Sequence, residues 1–114
     1  MADTLEIQKQ EGARKGQRVL RLIGPLSLQT VPDFLKVVRA EDAQVLIIEF
    51  TGVTFVDSAG VGALLQTMAS MNKTNRRLGL ASVGQRTLAV LEITRVLGLF
   101  QVFPTLSEAE ERLA

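Results

Sequence analysis

The chain has 114 residues, 46% of them hydrophobic and 22% charged, which is enough material for one compact core and argues against both wholesale disorder and a second independent domain. Cys and His are both absent, so disulfides, zinc sites, Ser-His and Cys-His nucleophile pairs and imidazole acid–base chemistry are excluded together. Basic and acidic residues nearly balance, 13 against 12, and aromatic residues make up 4% with neither Trp nor Tyr, which argues against a nucleic-acid stacking surface.

No apolar stretch reaches the roughly 18 residues needed to span a bilayer, and the start MADTLEIQKQ lacks a basic-then-apolar signal pattern, so no membrane insertion and a cytoplasmic location are expected. The sequon Asn72-Lys73-Thr74 then has no role. Leu5-Glu6-Ile7-Gln8-Lys9 and Val19-Leu20-Arg21-Leu22-Ile23 alternate with period two around a polar segment with two glycines, which predicts a hairpin whose second strand ends at Gly24-Pro25. Thr30-Val31-Pro32-Asp33 predicts a helix start, with Thr30 as the cap and the helix reaching residue 40. Val45-Leu46-Ile47-Ile48-Glu49-Phe50 is nearly all apolar, the pattern of a central strand covered on both faces by crossover helices. Val61, Leu64, Leu65, Met68 and Met71 fall at helical spacing, and the pattern runs out at Lys73-Thr74-Asn75. Residues 78–83 read as a strand, 85–95 as a helix and 100–103 as a last strand closed by Pro104. Ser107-Glu108-Ala109-Glu110 provides a capping arrangement for a short terminal helix. The order β-β-α-β-α-β-α-β-α predicts a single α/β domain over residues 1–114. Its sheet is mixed and mostly parallel, with an antiparallel N-terminal strand at or near an edge.

The segment between the central strand and the best-patterned helix is Thr54-Phe55-Val56-Asp57-Ser58-Ala59-Gly60-Val61-Gly62, at a strand-to-helix turn of the kind where parallel α/β sheets build their sites. Asp57 and Ser58 are both good N-caps, and only one residue can hold that position, which leaves the other spare. Gly60 and Gly62 leave the ground beside it free of side chains. From Ser58 to Asn72 there is no charged side chain. At 100° per residue Ala59, Gly62, Ala63, Gln66 and Ser70 cluster opposite the apolar stripe, and such a small, uncharged face suits docking of a partner unless another element of the chain covers it.

Other chemistries fit the segment less well. Gly60-Val61-Gly62 opens a helix after a strand, as a dinucleotide fingerprint does, but Leu65 stands where the third glycine belongs. No Gly-Lys-Ser/Thr triplet occurs, and Ser70-Met71-Asn72-Lys73 lacks the companion signatures of the penicillin-binding enzymes. With Asp57 the only charged side chain in the motif, neither catalysis nor a metal or cofactor is expected, although the turn and its glycines keep a nucleotide-binding module as an alternative.

Phe55-Val56-Asp57-Ser58-Ala59-Gly60-Val61-Gly62, followed some forty residues later by Leu97-Gly98-Leu99-Phe100, resembles the two signature blocks of the STAS family (sulfate transporter and anti-sigma antagonist domains), and within it the small bacterial anti-anti-sigma factors. The resemblance implies a STAS-like fold over nearly the whole chain. It implies that Ser58 matches the family's phosphoacceptor serine and Asp57 its neighbouring aspartate. It further implies a protein whose unphosphorylated form binds an anti-sigma factor and frees the sigma factor. That anti-sigma factor is a serine kinase of the histidine-kinase-like ATPase type, and a PP2C-type phosphatase reverses the phosphorylation. The chain departs from the family at Gly24-Pro25-Leu26-Ser27, where many members have Gly-Glu-Leu-Asp, so Ser27 takes the place of an acidic partner contact. The expected partner-binding set is Ser27, Asp57, Ser58, Ala59, Gly60, Gly62, Ala63 and Gln66. Other branches of the family are scaffolds of stress-sensing assemblies or subunits of transporters, and these stand as the alternative role.

Overall fold

The computed structural model describes residues 4–114; residues 1–3 of the expected domain lie outside the described residues. The alternating segments at the start form the antiparallel hairpin β1 (Glu6–Glu11) and β2 (Gln17–Leu26), closed by Gly12 N–H to Gln17 O at 3.0 Å and by Gly16 at φ +84°. There follow α1 (Val31–Arg39), β3 (Val45–Val56), α2 (Ser58–Lys73), β4 (Arg77–Ala81), α3 (Gln85–Ile93), a 3₁₀ turn (Leu97–Leu99), β5 (Gln101–Phe103) and α4 (Leu106–Arg112). The five strands form one sheet in the order β1-β2-β3-β4-β5, parallel from β2 onward, with the antiparallel strand at the edge and β3 in the middle.

The expectation that crossover helices cover both faces is overturned. Strand order advances by one neighbour in the same direction at each crossover, so crossovers of one hand place all three helices on one face. There Phe34 of α1, Leu64 of α2 and Leu91 of α3 share a core with Leu20, Leu22, Leu46 and Ile48 of the sheet. The opposite face carries α4 instead, whose Ala109 and Leu113 pack on Val19, Val45, Ile47 and Ala81. Glu110 holds α4 to the hairpin, its Oε2 accepting Ala13 N–H at 2.8 Å and its backbone carbonyl accepting from Gln17 Nε2 at 2.7 Å. α4 is capped by Thr105, whose Oγ1 accepts Glu108 N–H at 3.1 Å, and not by the Ser107 arrangement.

Two strands run further than their composition indicates. β2 does not stop at Gly24-Pro25: Gly24 pairs with Val53 and Leu26 with Val56, the ladder skipping Pro25 with an irregularity in between. A bulge tolerates proline because no ladder N–H is required there. Gly24 has φ +116°, and a Cβ on it would strike the Thr4 carbonyl oxygen. β3 likewise passes Phe50, since β2 remains beside it to Val56 after β4 has ended opposite Glu49. The ends of β2 and β3 therefore project together beyond the sheet, and the site stands on them.

Within β3 Glu49 is 4% exposed, its carboxylate 3.8 Å from Arg21 Nε and bonded to the Thr51 hydroxyl. Glu41, in the α1–β3 connection, is also buried and lies 3.5 Å from Lys9 Nζ and 3.2 Å from Arg18 Nε. Paired in this way, the two carboxylates fasten the hairpin to the rest of the sheet, and removing the cations from one side would leave a buried charge uncompensated.

Candidate functional site

Asp57 follows the last residue of β3, and its N–H donates to the Leu26 carbonyl at the end of β2 at 3.2 Å. In extended conformation (φ −97°, ψ −174°) it is the N-cap of α2: Oδ1 accepts Gly60 N–H at 2.9 Å. Its second oxygen, Oδ2, accepts Leu28 N–H at 3.1 Å, so one carboxylate joins the helix start to the β2–α1 loop. The choice that the residues alone leave open is thereby resolved. Asp57 caps, and Ser58 is the first helical residue, its side chain exposed at a helix end where free N–H groups and the macrodipole favour negative charge. Asp57→Ala, which removes both acceptors, is expected to cost about 1–2 kcal/mol in urea or thermal unfolding, with Asp57→Asn losing less because its amide oxygen still caps.

The two glycines have different roles. Gly62 is exposed with nothing within 4 Å of the place a Cβ would take. Gly60 is buried, and a Cβ there would run into the Leu26 carbonyl oxygen, so it is the point where α2 touches β2 and not open ground. Ala63, expected on the outward face, is 2% exposed and belongs to the core. The reason is α1, which packs alongside α2 and widens its buried arc from the sheet-facing Val61, Leu64 and Met71 to include Ala63 and Thr67. Leu65 and Met68 are only half-buried. Ser58, Gly62, Gln66 and Ser70 remain outward, with Ala59 half-buried beside them and Ala69, Asn72 and Lys73 also exposed toward the helix end.

Ser27 is also displaced from its expected role. It is 5% exposed, its N–H donates to Thr30 Oγ1 at 2.9 Å, and its own Oγ is buried without a partner. Thr30 accordingly does not cap α1 with its side chain; its hydroxyl donates to the Pro25 carbonyl at 2.9 Å and braces the loop. The loop's exposed side chain is Leu28, at 73%, and across from it Phe55 at the end of β3 is 40% exposed. With Ser27, Gln29 and Asp57 these two line a hollow of about 230 Å³ beside the helix start. Leu28 was not among the expected contacts, and Phe55 entered only as a letter of the motif. The available signal was an apolar side chain standing alone between Ser27 and Gln29 in a connecting loop.

Among the described residues no group of three or more His, Cys, Asp or Glu side chains is placed to hold a metal ion, and no helix is long and apolar enough to cross a membrane.

Comparison with known proteins places this geometry in context. The anti-sigma-B factor antagonist of Staphylococcus aureus is 27% identical over 82 residues, covering 69% of this chain and 76% of the relative. The crystal structure of an anti-sigma factor antagonist from Mycobacterium paratuberculosis superposes with a TM-score of 0.84 at 21% identity, covering 96% of this chain and 93% of that one. The phosphorylated form of the Bacillus cell fate determinant SpoIIAA gives 0.74 at 23% identity, covering 96% and 100%. The sequence model of the STAS domain matches residues 4–109, and the chain is therefore a member of the STAS domain family.

Proposed function

We propose that this chain is an anti-sigma factor antagonist switched by phosphorylation of Ser58. In its unphosphorylated form it binds an anti-sigma factor that is also a serine kinase, and so releases the sigma factor. Phosphorylation by that kinase ends the interaction, and a PP2C-type phosphatase restores it. The observation that carries the reading is the division of labour between Asp57 and Ser58. The aspartate is occupied by two backbone N–H groups, and the serine hydroxyl stands exposed beside a row of small, uncharged residues. Relatives bearing the name of anti-sigma factor antagonist support it. The role is binding and not catalysis: phosphoryl transfer relies on cations positioned around the phosphate, and the motif offers one carboxylate engaged in structure.

Incubation of the purified chain with a kinase-type anti-sigma factor and labelled ATP tests this. Label is expected on Ser58 and on no other residue, with none in Ser58→Ala; equal labelling of Ser58→Ala, read by phosphopeptide mapping, overturns the assignment.

A further inference from the structure

Along α2 the exposed residues Ser58, Gly62, Gln66 and Ser70 recur every four positions, forming one ridge that extends roughly 18 Å at about 1.5 Å per residue. At its far end Gln66 and Ser70 border a cleft of about 70 Å³ between α2 and α1. Leu35, Val38 and Met71 provide its apolar surface, and Arg39 and Arg76 also line it. Arg76 directs Nε to the Ala43 carbonyl at 2.9 Å and Nη2 to the Glu41 carbonyl at 2.8 Å, which engages its N–H groups but leaves its charge unneutralised. Arg39 is exposed, as are Lys36 in the same last turn of α1 and Lys73 in the last turn of α2. Among the described residues no ion pair involves any of these four cations, and no carboxylate lines the cleft. Cations gathered beside an apolar floor raise a local positive potential, and because most of them are exposed its attraction weakens as salt is added.

We propose that this cleft is a second anchor for the anti-sigma factor, and that its occupant is an acidic amphipathic segment of that partner. The segment seats one aliphatic side chain over Leu35, Val38 and Met71 and brings a carboxylate to Arg39, whose planar guanidinium takes it through two parallel hydrogen bonds. The ridge from Ser58 to Ser70 is the uncharged track joining the two anchors. It explains why α2 lacks charge along its exposed row while cations gather at its end: the contact in the middle is close, and the orienting field lies at the margin. The inference rests on the reading of the chain as an anti-sigma factor antagonist and adds the chemistry of what the partner presents.

The test is isothermal titration of the full chain with the purified anti-sigma factor that labels Ser58, at low and raised salt, beside thermal unfolding of each variant. Arg39→Glu is expected to bind about tenfold more weakly, with a flatter salt dependence and a melting temperature lowered by only a few degrees. The Arg39 side chain is exposed and, among the described residues, free of ion pairs, and an acid in the last turn of α1 only mildly opposes the helix dipole. Arg39→Lys keeps the charge and the salt slope but loses the paired hydrogen bonds, so it is expected to bind severalfold more weakly than wild type and more tightly than Arg39→Glu. If Arg39→Glu binds like wild type while Ser58→Asp does not bind, the cleft is no contact and only the antagonist reading survives. If neither variant changes binding, both readings fall. A wild-type dimer in sedimentation that Arg39→Glu dissociates assigns the cleft to a second copy and overturns the proposal.

Discussion

Ser58→Asp is expected to bind the anti-sigma factor more than about a hundredfold more weakly than wild type while melting at the same temperature. In the free protein the added charge sits at the first position of α2, whose first turn carries no acidic residue, so the macrodipole and the free N–H groups favour it slightly. In the complex the same charge is removed from water beside Asp57, whose oxygens already accept Gly60 and Leu28 N–H and, among the described residues, pair with no cation. A desolvation and repulsion cost of about 3 kcal/mol corresponds to that loss of affinity. A phosphoryl group, with about −1.5 to −2 charge, acts in the same direction and further. Titration calorimetry paired with a melting curve separates the two effects. A Ser58→Asp variant that binds normally, or that loses binding only because it unfolds, contradicts the switch.

Gly60→Ala is expected to destabilise the domain by about 3 kcal/mol, at the upper end of what overpacking costs. The added Cβ meets the Leu26 carbonyl oxygen, a backbone atom held by the β2–β3 ladder, and lies 2.8 Å from Val56 Cγ1. That same carbonyl accepts Asp57 N–H, so any shift that relieves the clash also disturbs the cap. For a domain of this size the loss lowers Tm by roughly 10 °C or more. Two positions on, Gly62→Ala is expected to do the reverse and gain about 0.5–1 kcal/mol, since the new methyl group meets nothing and helix propensity rises. Circular-dichroism melts of the two variants check both; equal stabilities would mean that α2 is not seated on β2 at Gly60.

Element type and order were legible in the sequence because each depends on neighbours along the chain. Period-two alternation marked β1 and β2, a buried run marked β3, and the 3.6-residue recurrence of Val61, Leu64, Met68 and Met71 marked α2. The surplus of two capping residues at Asp57-Ser58 was equally local, and so was the uncharged run that follows. Contacts made across the fold decided the rest. Asp57 holds the cap because β2 continues past Pro25 and brings Leu26 O and Leu28 N–H within reach of it. Ala63 is buried because α1 lies beside α2, Gly60 because the helix crosses the end of β2, and Ser27 because Thr30 draws its loop inward. Spacing along a helix reports which residues share a face, but whether that face meets solvent depends on elements distant in sequence, and only the tertiary structure brings those together.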